Sequence, residues 1–197
     1  MTTRSLRIAV ADDEADMRDY FARVLPVLGH EVVAVARNGR ELVEQSLIAR
    51  PDLLVVDVRM PVMDGLEAVR EICAAIPTPA IVVSAYSDAE LVRRAMEECV
   101  MAYLIKPIKQ TDIEPAIAIA ISRYGEMEQL RQETADLRRS LEDRKIIERA
   151  KGVLMKRMRL DEPEALRRLQ KMASESNRRL VEVARGVIEP EGPSGPR

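Results

Sequence analysis

The chain is poor in aromatic residues: it has no tryptophan, one phenylalanine and four tyrosines in 197 residues, and none of them follows Tyr124. Proteins that grip single strands by stacking bases need aromatic rings, so the C-terminal third excludes that mode of binding. His30 is the only histidine. With no second imidazole to pair with it, a multi-histidine metal centre is excluded and a surface or strand-edge place is expected. Cys73 and Cys99 are the only cysteines and lack metal-type or redox-type spacing. They read as small buried hydrophobes, free thiols in a reducing cytoplasm. No stretch approaches 18 consecutive apolar residues, which excludes a membrane-spanning helix. The opening "MTTRSLRIAV" has too short an apolar run for a secretory signal. A cytoplasmic location without a membrane partner follows as an expectation.

A net charge of −2 argues against a simple polyanion binder, but it conceals an asymmetry. Residues 1–124 carry 14 basic against 19 acidic side chains, net −5, whereas residues 125–197 carry 17 against 14, net +3. An acidic front and a basic back predict modules with different partners.

In the front module, "LRIAVA", "EVVAVA", "DLLVVDV" and "AIVVSA" read as β-branched strands, with "AYLI" as a weaker fifth. Helical patterns lie at 14–28, 38–49, 65–75, 87–99 and 111–124. This alternation predicts an α/β fold, a doubly wound five-stranded parallel sheet covered on both faces. Such folds carry their chemistry outside the carboxyl ends of the strands. Strand one runs into Asp12-Asp13-Glu14, strand three ends on Asp57, strand four on Ser84 and strand five on Lys106-Pro107. Carboxylates gathered in one crevice repel, and a hard divalent ion with oxygen ligands, most naturally Mg²⁺, relieves this. With Lys106 as a fixed cation and Ser84 as a hydroxyl donor, the set describes a phosphoryl site with a carboxylate nucleophile.

The acid pair "DD", the loop "DVRMPVMDG", the hydroxyl in "VVSA" and "YLIKP" resemble a response-regulator receiver domain over residues 6–124. That resemblance implies that Asp57 accepts phosphate from a sensor histidine kinase. It implies that Asp12, Asp13 and the backbone carbonyl of Arg59 join Asp57 around Mg²⁺. Ser84 and Lys106 would hold phosphoryl oxygens, and Tyr103 would be the aromatic that turns inward on activation. One departure is Cys99-Val100, where the family usually has a glycine-alanine pair. A left-handed stop without glycine is strained, so the turn before the fifth strand is expected to differ.

Behind the receiver-like residues 1–124, positions 125–145 read as a coiled-coil linker helix. Met127, Leu130, Thr134, Leu137 and Leu141 follow the 3-4 spacing of an a/d stripe. Pairing of two chains through Met127, Leu130, Leu137 and Leu141 is the corresponding expectation. At 146–189 three amphipathic segments predict an all-α three-helix module. Asp161 is expected to cap the second helix with Glu164, and the third is expected to start near Ser176-Asn177. Residues 190–197, rich in proline and glycine, read as a disordered tail.

Within this module "IIERAKGVLMKRMRL" keeps a mid-helix glycine, Gly152, at a cost of about 1 kcal/mol relative to alanine. Arg144, the "AKGVLM" run, "EA" at 164–165 and the asparagine-arginine start of the third helix resemble the ANTAR domain over about residues 137–188. Leu166 departs from it, where Phe or Tyr is usual. That resemblance implies RNA-hairpin binding and transcription antitermination, with Arg144, Lys151, Gly152, Lys156, Arg157, Arg178 and Arg179 as candidate contacts. Gly152 reads either as a packing position or as a place where a nucleic-acid backbone comes close. Together the two resemblances imply a non-enzymatic, phosphorylation-controlled regulator that dimerises and grips hairpins. The alternatives are a DNA-binding regulator or a protein-interaction relay. A haloacid-dehalogenase-like phosphatase would need a second Asp where Arg59 stands.

Overall fold

The computed structural model describes residues 5–85 and 99–188. The chain divides into two compact units, Met1–Glu128 and Gln129–Arg197.

In the first unit five strands, β1 (Arg7–Ala11), β2 (Glu31–Ala36), β3 (Leu53–Asp57), β4 (Ala80–Ser84) and β5 (Val100–Ile105), form one sheet in the order β2-β1-β3-β4-β5. All four pairings are parallel. The central strands β3 and β4 are buried along their whole length, which explains why they read as unbroken apolar runs. Alternate residues serve opposite faces. Ile8, Val10, Leu53, Val55, Ile81 and Val83 pack against α1 (Ala15–Val27) and the first turns of α4 (Gln110–Met158). Ala9, Ala11, Leu54 and Val56 pack against α2 (Gly39–Ala49) and α3 (Gly65–Ala75). The expected doubly wound sheet is thus present. The helix expected at 87–99 lies outside the described residues except for Cys99, which sits in a turn.

Of the surface and strand-edge places expected for His30, it takes the second, directly before the edge strand β2, and it is buried there: it is 6% exposed, and its Nδ1 accepts a hydrogen bond from the Leu6 backbone N–H at 3.3 Å. Burial holds the imidazole below its ordinary pKa, against a smaller opposing effect of Glu114. Protonation would remove the acceptor, so the fold binds this proton less readily than the unfolded chain does. The contribution is present above the unfolded pKa and is lost as pH falls through the folded one. The melting temperature of the wild type relative to His30→Gln should therefore drop by several degrees between pH 7.5 and 5.5. A difference that stays constant over that range would refute this role.

Cys73 and Cys99, expected as free thiols, are paired as a disulfide with Cα atoms 6.4 Å apart. Their separation of 26 residues carries no sequence signature. The sheet topology brings the C-terminal half of α3 to the head of β5. At the position that usually holds glycine, Cys99 places a side chain in the core.

In the second unit, the later turns of α4, α5 (Glu162–Ser176) and α6 (Leu180–Ile188) bury one cluster that includes Ala150, Leu154, Ala165, Leu169, Ala184 and Val187. The three-helix module is therefore formed. Asp161 and Glu164 make the expected reciprocal capping box at the start of α5. The third helix, however, starts later than expected. Asn177 ends α5 in the left-handed conformation, φ 51°, and α6 begins at Leu180. Asparagine suits a helix start and a left-handed stop alike, which is why its type alone misplaces the boundary. The tail at 190–197 lies outside the described residues.

Candidate functional site

Parallel strands deliver their carboxyl ends to one edge of the sheet, and the loop after each strand determines what is presented there. After β1, Asp12 is 1% exposed, and its Oδ1 accepts a hydrogen bond from the Glu14 N–H at 2.9 Å. The guanidinium of Arg18 donates to the carbonyls of Asp12 and Asp13, both at 2.9 Å, and so pins the loop. After β3, Asp57 is buried and Asp64 caps α3 by accepting from the Glu67 N–H. Gly65 lies so close to β3 that a Cβ there would collide with the Asp57 carbonyl oxygen. At the end of β4 Ser84 is buried, and its carbonyl accepts from the Lys106 N–H at 2.9 Å.

The structure brings Asp12, Asp13, Asp57 and Lys106 together. Carboxylate oxygens of Asp12, Asp13 and Asp57 all lie within 4.8 Å of one another. The Lys106 ammonium is 3.1 Å from Asp12 Oδ2, 3.1 Å from Glu14 Oε1 and 3.5 Å from Asp57 Oδ1. Burial pushes the Asp57 carboxyl up to about 6; Lys106 opposes this, while Asp12 and Asp13 add to it. Burial also raises Asp12, against the Glu14 N–H and Lys106. For Lys106, burial works downward, but its contacts with Asp12, Glu14 and Asp57 outweigh it and hold the ammonium above its usual range.

Asp12 Oδ2 is buried and, although close to Lys106, receives no well-directed hydrogen bond. A buried carboxylate oxygen with unused acceptor capacity, in a cluster of three hard oxygen donors, fits a divalent cation. Asp13 and Arg59 line one hollow of about 480 Å³ with Val58, Met60, Pro61 and Asp64. Tyr103 is half-buried against the cluster of Val58, Leu66 and Val82.

Sequence reasoning gave no role to Arg18, Gly65 or the Glu14–Lys106 contact. Gly65 could have been noticed, since a glycine directly after a capping aspartate closes the "DVRMPVMDG" loop. The reach of Arg18 back to two carbonyls follows only from the turn geometry.

In the second unit the candidate cations separate into three groups. Arg144, Lys156 and Arg157 are exposed, and among the described residues none of them makes an ion pair. Arg178 and Arg179 lie in the turn before α6. Arg178 Nε is 3.4 Å from Glu182, and Arg179 Nη2 is 3.6 Å from Asp143. Lys151 differs from all of these. Its side chain is only 7% exposed, and its ammonium lies 2.9 Å from Glu148 and 2.6 Å from Glu162. Those two carboxylates raise its pKa. Instead of a free cation, Lys151 is a tie between α4 and the first turn of α5. The Glu148 partner was legible at i−3. Glu162 was not, because the chain returns there through Arg159, a non-glycine residue at φ 53°.

Gly152 is half-buried, and a Cβ on it would meet nothing within 4 Å, so packing within the chain does not require the glycine. A groove of about 640 Å³ runs between the ends of α4 and α5 and the face of α6. Leu154, Met158, Met172, Val183 and Val187 are among its lining residues, with Arg157 and Arg178 beside them. Of the expected stripe, Leu130, Leu137 and Leu141 are exposed, whereas Met127 packs onto the core of the first unit.

Comparison with known proteins agrees with both halves. Residues 8–118 match the response regulator receiver domain, and residues 135–188 match the ANTAR domain. The chain is 40% identical over 183 residues to the transcriptional regulatory protein PdtaR of Mycobacterium tuberculosis, covering 93% of this chain and 89% of that one. Among solved structures, the REC domain of AraT, a response regulator from Geobacillus stearothermophilus, is 31% identical with a TM-score of 0.54. That match covers 66% of this chain and 98% of that one. A protein-glutamate methylesterase/glutaminase of Carboxydothermus hydrogenoformans is 42% identical, but over only 107 residues, 30% of its length. That match spans the receiver alone, so it carries no enzyme activity across to this chain. The chain belongs to the response regulators, with a receiver domain followed by an ANTAR domain.

Proposed function

We propose that the chain is a cytoplasmic, phosphorylation-controlled transcription antiterminator that binds RNA hairpins. A sensor histidine kinase supplies the phosphoryl group. An Asp57 oxygen attacks phosphorus, the bond to the donor nitrogen breaks, and an acyl phosphate is left on Asp57. Mg²⁺ held by Asp12, Asp13, Asp57 and the Arg59 carbonyl would neutralise charge on the transferring group. Lys106 and Ser84 hold phosphoryl oxygens, and Tyr103 responds by turning toward Ser84.

The observation that carries this reading is the union, in one chain, of the acid crevice and an ANTAR-matching module with unpaired cations on its surface. Arg144, Lys156 and Arg157 are the free cations for phosphates. Arg178 and Arg179 flank the N-terminus of α6, which itself attracts anions. With no ring for stacking, the apolar groove beside Arg157 and Arg178 gives an unstacked loop base a place to sit. Lys151 serves this surface indirectly, by fixing α5 to α4. Leu130, Leu137 and Leu141 offer an unpartnered apolar stripe, which supports pairing of phosphorylated chains.

One observation favours a DNA-binding reading: α5 and α6 are joined by a turn of only three residues, Asn177–Arg179, as in a helix-turn-helix. Yet α6 has nine residues, and Arg185 is the one basic residue on it. That is a poor complement to a major groove lined by phosphates. Parallel titration of hairpin RNA and duplex DNA separates the two readings, and preference for duplex would overturn the RNA one.

Gly152→Ala probes the same surface. Because the added methyl meets open space, folding stability should be unchanged or raised by up to about 1 kcal/mol. Hairpin affinity should fall about tenfold or more if RNA backbone approaches there. Unaltered affinity would remove Gly152 from the contact surface.

A further inference from the structure

We propose that Cys73 and Cys99 form a reversible thiol–disulfide couple, a modification site that peroxide closes and a dithiol reopens. The two residues come from separate elements, the C-terminal half of α3 and the turn that opens β5, with Cα atoms 6.4 Å apart. That distance lies within the span a disulfide bridges without backbone movement. Their exposure is unequal: Cys99 is 1% exposed within the core, whereas Cys73 is half-buried at its edge. The Cys99 carbonyl also accepts from the Ala80 N–H at 2.8 Å, which fixes its backbone to β4. Cys73 is therefore the more exposed member of the pair, and Cys99 is held in place to resolve it.

The chemistry balances with peroxide as oxidant. The Cys73 thiolate attacks one peroxide oxygen, the O–O bond breaks, and water leaves once the released hydroxide is protonated. The sulfenic acid on Cys73 is then attacked by the Cys99 sulfur; the S–O bond breaks, the S–S bond forms, and a second water leaves. Two electrons pass from the sulfurs to peroxide. In the reverse direction a dithiol attacks Cys73 Sγ, Cys99 departs as thiolate, and the dithiol closes into its own disulfide. In the cytoplasmic setting proposed above, on which this step's reversibility rests, such bonds are transient or sensory.

The closed loop contains β4 and Ser84. Cross-linking its ends restricts the unfolded chain, so oxidation should stabilise the receiver. The strap lies outside the phosphoryl crevice and needs neither metal nor donor to form.

The test uses the purified full-length chain without RNA or kinase, so its outcome is independent of the antitermination reading. The fully reduced protein is treated with hydrogen peroxide, quenched with N-ethylmaleimide and weighed intact. The expected product is monomeric, takes up no maleimide and is lighter by two hydrogens. It should melt roughly 5 °C or more above the reduced form. Dithiothreitol should restore both alkylatable thiols and the lower melting temperature. Cys73→Ser should show no peroxide-dependent rise. Two maleimides on the peroxide-treated chain, added oxygen without a disulfide, cross-linked dimers, or equal melting temperatures in both states would each overturn the proposal. A rise that persists in Cys73→Ser would do the same.

Discussion

Asp57→Asn should take up no phosphoryl label from acetyl phosphate or from a kinase, a loss of roughly a thousandfold or more. The amide cannot act as the nucleophile, and no other carboxylate in the crevice stands in for it. Asp12 is engaged by the Glu14 N–H and Lys106, and Asp13 is an exposed loop residue whose carbonyl Arg18 holds. Label that persisted on the variant would move the acceptor elsewhere. The same substitution carries a thermodynamic signature. The folded-state pKa of Asp57 is raised from 3.8 to about 6, so the fold disfavours its ionised form. That penalty is absent below the unfolded pKa, grows as pH rises, and is complete above about pH 6. In metal-free buffer at pH 7.5 Asp57→Asn should therefore be more stable than the wild type, by up to about 3 kcal/mol. The gap should close toward pH 4. Added Mg²⁺ should stabilise the wild type more than the variant.

Gly65→Ala should impair the same labelling about a hundredfold while leaving every charged residue in place. Its methyl would run into the Asp57 carbonyl oxygen, with Val56 Cγ1 2.8 Å away and the Asp57 carbonyl carbon at 3.0 Å. None of these atoms belongs to the free end of a flexible side chain. Either α3 retreats from β3 or the backbone of the acceptor shifts. A displacement near 1 Å is enough to misalign an in-line attack. Overpacking at this seam should also cost about 1–3 kcal/mol of receiver stability. Urea denaturation separates the two effects, because labelling can be measured where the variant remains folded. Wild-type labelling in a folded Gly65→Ala protein would mean that the β3–α3 seam tolerates a side chain. The contrast with Gly152→Ala is instructive, since there the same methyl meets open space.

These glycines also mark how far sequence could lead. The acid crevice was legible because a parallel sheet leaves little choice: strands ending on Asp57, Ser84 and Lys106 must present those residues at one edge. The strands themselves were legible from their apolar runs, and the α5 capping box from Asp161 and Glu164. What escaped depended on which residue meets which across the fold. Charge and spacing made Lys151 a candidate contact, yet Glu162 reaches it only after the chain turns at Arg159. His30 read as a surface or strand-edge residue because one histidine has no pattern, and its burial follows from a partner 24 residues away, the Leu6 backbone N–H just before β1. Cys73 and Cys99 carried no motif, and only the folded chain brings α3 beside the residue that precedes β5.

The state of the acid crevice should control the grip of the helical module on RNA. The direct measurement is hairpin affinity of the full-length chain with Mg²⁺, in the presence and absence of beryllofluoride, which mimics the phosphoryl group on Asp57. Affinity should rise at least about tenfold with the mimic, on the order of 1.4 kcal/mol of coupling, and should not rise in Asp57→Asn. Equal affinity in both states of the wild-type chain would contradict this coupling.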